Sequence, residues 1–196
     1  MPRLQAQVNF LLTCDQLKAV TRTTLLHSGA RAENSAEHSW HLALMALTLG
    51  EYAPPETNLG RVVELLVLHD LVEIYAGDVH FDQSETAKIQ QTQRETEAAA
   101  RLFGQLPPDQ RGTFHSAWQE FEARQTPEAR FARALDALQP MLLTWGPGGI
   151  GSAAHPELTF GRVLALKRSA LEEFPALWEL AQGTAAQAVA AGIMPE

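Results

Sequence analysis

Residues Leu65 to Asp78 read LLVLHDLVEIYAGD, an apolar run with one imidazole and two carboxylates, His69, Asp70 and Glu73, set in its middle. An ionised carboxylate withdrawn from water costs several kcal/mol or more unless it is paired or bound to a metal. On an ideal helix each residue turns by about 100°, so with His69 at zero, Asp70 points to roughly 100° and Glu73, one turn on, to roughly 40°. The three groups therefore converge on one side of a helix built otherwise from Leu, Val and Ile. A polar network satisfied by its neighbours is the plainer account of a lone buried His or Glu. Adjacent His-Asp with Glu one turn later is rarer, and clusters of mutually perturbing ionisable groups favour a site.

A metal site needs more than His69 and Asp70. His38, in AEHSWHLALMAL, stands one turn into its own segment beside Leu42, Leu44, Met45 and Leu47. Asp136, in RALDALQP, is flanked by Ala134, Leu135, Ala137 and Leu138, where a metal would remove the cost of a core-facing carboxylate. Two imidazoles and two carboxylates with no thiolate suit a borderline or hard divalent ion such as Mn, Co, Fe or Zn. His41, three residues after His38, could share its face, although a spare match of this kind is more often not a ligand, and His80 reads equally as a pocket residue or as a surface-loop histidine. His27, His115 and His155 have no ligand partners at suitable spacing and read as surface or satisfied residues. Gly146–Gly151 matches G-x-G-x-x-G, but it follows a helix rather than a strand and holds Pro147, so it reads as a loop.

The elements that must position these residues are helical. Apolar periodicity near 3.6 dominates, and no convincing alternating strand stands out. Helices are expected near 4–20, from about Asn34 or Ser35 through AEHSWHLALMALTLGEY, from about Leu59 to Ala76 with Gly77 as the stop, and from Glu85 to Phe103. Others follow Pro107-Pro108, start at Thr126 and Pro127 with Pro140 as a kink or boundary, and span about 158–173 and 176–191. A polar link holds Gly29. The fold class is all-α, a compact helical bundle with added C-terminal helices: a single domain over 1–196, its core at about 10–170 and a helical extension at about 171–196. A hydrophobic fraction of 45% is enough for a substantial core, and a formal net charge of -8 argues against a nucleic-acid polymer as partner. A single cysteine, Cys14, no signal-peptide pattern and no apolar run of membrane-spanning length lead us to expect a cytoplasmic protein off the membrane.

The order His … His-Asp … Asp, together with LKAVTR, RAENSAEHSWHLALMAL, RVVELLVLHDLVEIYAGD and TPEARFARALDALQP, resembles the HD-domain metal-dependent phosphohydrolases, in particular their 5'-deoxynucleotidase branch. The likeness covers roughly residues 10–170. It implies His38, His69, Asp70 and Asp136 as ligands of one divalent metal ion, and Glu73, with Asp70, as catalytic groups beside the metal. It also implies Asp78 on the sugar hydroxyl, Arg22 on the phosphate, Arg31 facing the substrate, and a homodimer. Thr23 departs from the bulky aromatic that relatives often carry after the arginine, so strict exclusion of ribonucleotides is not implied.

The expected activity is removal of the 5'-phosphate from nucleoside monophosphates, a small-molecule nucleotide substrate. The rivals are another HD chemistry, on cyclic nucleotides or alarmones, and a silent metal- or nucleotide-binding helical protein. A pure binder has no need of Glu73.

Overall fold

A computed structural model describes residues 2–77, 85–152 and 155–196, and for residues 85–89 the backbone alone. Asp78 and His80 lie outside the described residues. Helix α1 (Pro2–Cys14) runs into a 3-10 turn at Asp15–Ala19, earlier than the expected end near residue 20. Then come α2 (Ser35–Leu49), α3 (Leu59–Leu68), α4 (Glu73–Ala76), α5 (Glu85–Phe103) and α6 (Pro108–Ala123). Helices α7 (Pro127–Trp145), α8 (Phe160–Leu171) and α9 (Pro175–Ala190) complete the all-α architecture.

Local chemistry explains the starts. Asn34 caps α2 through a capping box, its side chain accepting from Glu37 N while the Glu37 carboxylate accepts from Asn34 N. Asn58 caps α3, and Thr126 caps α7 ahead of Pro127 at the first helical position. Helix α7 runs through Pro140 to Trp145 and lies at the centre, packing on α2, α3, α6, α8 and α9. Its inward residues Phe131, Leu135, Leu138 and Met141 are fully buried.

Two features depart from the expected pattern. First, the polar link after α1 is a small antiparallel hairpin, β1 (Thr21–Leu25) paired with β2 (Ala32–Asn34). Its register is irregular, and its connection turns at Gly29, φ 72°, where a Cβ would meet Ile150 Cγ2 at 2.8 Å. His27 beside it lies 3.1 Å from Leu143 O and 3.0 Å from Pro147 O. The 146–151 glycine loop therefore docks the hairpin, and Ser152 N also bonds Ile193 O near the C-terminus.

Second, the expected single helix from Leu59 to Ala76 is broken. It ends at Leu68, a 3-10 segment covers His69–Val72, and α4 resumes at Glu73 before Gly77 stops it at φ 77°. A 3-10 turn advances about 120° per residue, so residues three apart eclipse. Asp70 and Glu73 thus stack more directly than an unbroken α-helix would allow. No helix among the described residues is long and apolar enough to cross a membrane.

Candidate active site

Three side chains from separate parts of the bundle, two buried and the third half-buried, meet at one point. His38 lies in α2, His69 begins the 3-10 break, and Asp136 is in the middle of α7. One ligand atom from each lies within 4.8 Å of the other two. His38 is fully buried, and its Nε2 lies 3.1 Å from Asp136 Oδ1. Asp70 stands beside the trio, with Oδ1 2.9 Å from His69 Nε2 and Oδ2 3.8 Å from His38 Nε2.

The cluster fits a divalent cation, and His69 supplies the test. Its Nδ1 lies 2.8 Å from the Leu66 carbonyl and donates to it, leaving the lone pair of a neutral ring on Nε2. That Nε2 is buried and has no hydrogen-bond partner, although Asp70 and Asp136 lie close. Burial works against the His69 imidazolium, but the two carboxylates outweigh it and hold the imidazolium pKa above its ordinary value. The geometry calls for positive charge between these groups. A dication meets that need for both imidazoles and both carboxylates at once.

The surrounding residues orient the donors. Glu33, 2% exposed, accepts from Gln139 Nε2 at 3.0 Å and sets Oε1 3.6 Å from His38 Nδ1 and 3.3 Å from Arg22 Nε. Arg22 in β1 also donates from Nη1 to Asp70 Oδ2 at 3.1 Å. Ser35, the first residue of α2, donates to Glu73 Oε2 at 2.6 Å. Arg133 donates to Asp136 Oδ2 at 2.6 Å. Burial raises the cost of the Asp136 charge, yet Arg133 and the two imidazoles keep its carboxyl well below the usual range.

A cleft of about 670 Å³ opens onto His69, Asp70, Glu73 and Asp136. Helix α5 contributes Gln91, Thr92 and Glu95, and Thr23 lines the cleft next to Arg22. Its cations are Arg22, Arg124, Arg130, Arg133 and Lys167. Burial pushes the Lys167 ammonium down to about 8, with Arg133 and Arg22 adding to the fall and Asp136 opposing it. Burial, then Arg133, also lowers Arg124 from its usual value.

Of the residues expected from sequence, His38, His69, Asp70, Glu73, Asp136 and Arg22 come together here. Arg31 does not. It sits on the surface in a two-pronged pair with Glu37, its Nη1 also donating to Ala32 O at 2.9 Å, and it is absent from the cleft lining. The Glu37 that completes the α2 capping box draws it there, and Arg31 in turn is the first cause holding the Glu37 carboxyl down to about 2. His41 is not part of the trio; its Nδ1 lies 3.3 Å from Gln139 Nε2.

Sequence reasoning passed over Ser35, Gln139, Arg124, Arg133 and Lys167. Lys167 carried a readable signal: it stands between Val163 and Leu171 on the buried stripe of α8, where an apolar residue is the norm.

The HD domain family matches residues 14–178. The 5'-deoxynucleotidase HDDC2 of Danio rerio is 28% identical over 182 residues, spanning 85% of this chain and 86% of that protein. The Homo sapiens protein of that name is 30% identical over 136 residues, 69% of this chain and 65% of its own. Among solved structures, a predicted metal-dependent phosphohydrolase from Magnetospirillum magnetotacticum MS-1 is 41% identical over 100% of both chains, with a TM-score of 0.86.

Proposed function

This chain belongs to the HD domain family, and from that membership and its buried donor cluster we propose that it is a metal-dependent phosphohydrolase removing the 5'-phosphate from nucleoside monophosphates, deoxyribonucleotides included. The observation that carries this reading is the convergence of His38, His69 and Asp136 beneath a cleft that also holds Glu73. His38, His69, Asp70 and Asp136 hold one divalent ion. The ion supplies charge neutralisation on the phosphoryl oxygens and activation of water.

The chain's own residues do the rest. The Glu73 carboxylate, fixed by Ser35 Oγ at 2.6 Å, takes the proton of the attacking water. Arg22 holds Asp70 in orientation through its 3.1 Å bond and faces the cleft beside Thr23. The cations of the cleft bind the phosphate, as guanidinium groups do in two-pronged fashion. Asp78, by resemblance, takes the sugar hydroxyl. Arg31 orders the junction of hairpin and α2.

A second copy of the chain is the proposed partner. Leu4, Val8 and Leu11 on α1, and Trp40, Leu44 and Leu47 on α2, form two exposed apolar stripes at i, i+4, i+7 spacing. Sedimentation of the wild type and of Leu47→Glu tests this: a dimer that the charge disrupts supports it, and a wild-type monomer removes it. The activity is tested by phosphate release from a nucleotide panel with Mn, Co, Fe or Zn added. Release from 5'-monophosphates is expected. Protein that binds metal yet releases phosphate from none of them removes this reading and leaves the silent binder or the cyclic-nucleotide or alarmone chemistry, neither of which frees inorganic phosphate.

A further inference from the structure

Arg124 is the one non-glycine residue with positive φ among the described residues, at φ 55° and ψ 31°. It ends α6, where its N–H bonds Glu120 O at 3.2 Å. That left-handed position is the one at which helices most often place glycine, because a Cβ is strained there. Here the position carries the longest cationic side chain instead, and it lines the cleft. The Arg124 guanidinium makes no hydrogen bond or ion pair with any described residue. Its neighbours include a like charge, Arg133, which donates from Nη1 to Asp136. Lys167, buried in α8, faces the same space, where Asp136 offsets part of the like charge of Arg133 and Arg22. Meanwhile Arg22, the arginine matched to the phosphate by resemblance, is 13% exposed and is engaged with Asp70 and Glu33.

Three cations from the end of α6, from α7 and from α8 thus line one cleft. Arg124 is exposed at this cleft, Arg133 is half-buried and Lys167 is buried; like charges so gathered repel one another, and a multiply charged anion between them reverses the sign of that energy. A strained backbone that persists at such a place is a pointer to function. We infer that Arg124, with Arg133 and Lys167, forms the binding site for the substrate's phosphate dianion, while Arg22 chiefly positions Asp70. This deepens the phosphohydrolase reading and rests on it for the identity of the anion.

The test uses the manganese-loaded protein, with inorganic phosphate titrated by calorimetry and hydrolysis followed in parallel. Arg124→Gly relieves the backbone and removes the guanidinium, so its Tm should equal or exceed the wild type's while phosphate affinity falls about tenfold or more, the scale of a lost charge-assisted hydrogen bond. Arg124→Gln, which keeps the Cβ and the length, should lose the same affinity, and Arg124→Lys should recover part of it. KM for monophosphates should rise in step, with bound manganese unchanged. Unaltered phosphate affinity in both Arg124→Gly and Arg124→Gln overturns the inference even where hydrolysis is robust. A wild type that binds no phosphate overturns it as well. Weaker phosphate binding by the variants of a protein that hydrolyses no nucleotide keeps the anion site and removes the nucleotidase reading.

Discussion

Ser35 Oγ donates to Glu73 Oε2 across 2.6 Å, tying the first residue of α2 to the first residue after the 3-10 break. The same α2 carries His38, three residues later, into the donor cluster. One hydrogen bond therefore couples the position of the proposed proton acceptor to that of a proposed ligand. Glu73→Gln keeps the shape of the side chain and loses proton transfer, so kcat should fall by about 100- to 10,000-fold while metal content and Tm stay near wild type. Loss of the metal would make Glu73 a ligand instead. Unfolding with kcat per folded molecule intact would make it a structural partner only. Ser35→Ala should lower kcat less than Glu73→Gln does, and equal losses would point to Ser35 itself in the chemistry.

Arg22 pairs with Asp70 at 3.1 Å and with Glu33 at 3.3 Å, all three side chains being largely buried. Arg22→Ala leaves two buried carboxylates without their cation, a change worth about 3–5 kcal/mol. The variant should lose stability in that range by denaturant unfolding and retain metal less tightly in a chelator competition. A variant whose only defect is a raised KM would return Arg22 to the role of a simple phosphate contact.

Thr23, a small side chain, lines the cleft next to Arg22 at the position where the family resemblance leads one to expect a bulky aromatic. Ribo- and deoxyribonucleoside monophosphates should therefore differ in kcat/KM by less than about tenfold, and Thr23→Trp should widen the gap toward the deoxy substrate by about 10- to 200-fold, the range that steric discrimination of this size supplies. Strong discrimination by the wild type would show that another residue reads the sugar.

Much of this was readable in the sequence. The capping signals Asn34, Asn58 and Thr126-Pro127 mark their helices, and the odd polar residues in apolar runs mark His38, His69, Asp70 and Asp136. The hairpin was not readable, because Thr21–Leu25 is short and polar and its inward positions are Arg22 and Thr24 rather than apolar residues. The break at His69 was not readable either. No Gly or Pro interrupts Leu65–Ala76, and the 3-10 turn answers to where the ligands must meet, a tertiary demand that local propensity does not carry. Arg31 was misplaced because its pairing with Glu37 depends on the hairpin.

Lys167 makes the pH dependence of stability specific. Its ammonium is pushed from 10.5 to about 8 in the fold, chiefly by burial. Below about pH 8 the charge is present in folded and unfolded chain alike, and the full penalty, roughly 3 kcal/mol, weighs on the fold. Between about 8 and 10.5 the unfolded chain binds more protons than the folded one, so stability from this group rises with pH. Lys167→Met should therefore be more stable than wild type at pH 7 in phosphate-free buffer, with the Tm difference shrinking as the pH passes 8 and nearing zero beyond 10.5. A difference independent of pH would mean that Lys167 contributes through packing alone.

The central claim is that His38, His69, Asp70 and Asp136 hold a divalent ion without which there is no hydrolysis. The most direct measurement is elemental analysis of chelator-stripped and manganese-reconstituted protein, paired with phosphate release from a 5'-deoxynucleoside monophosphate, for wild type, Asp70→Ala and Asp136→Ala. One equivalent of metal in the wild type, restoration of activity on reconstitution, and loss of both metal and activity in the two folded variants is the predicted result. Stoichiometric metal in Asp70→Ala and Asp136→Ala, or phosphate release that survives stripping, would contradict it.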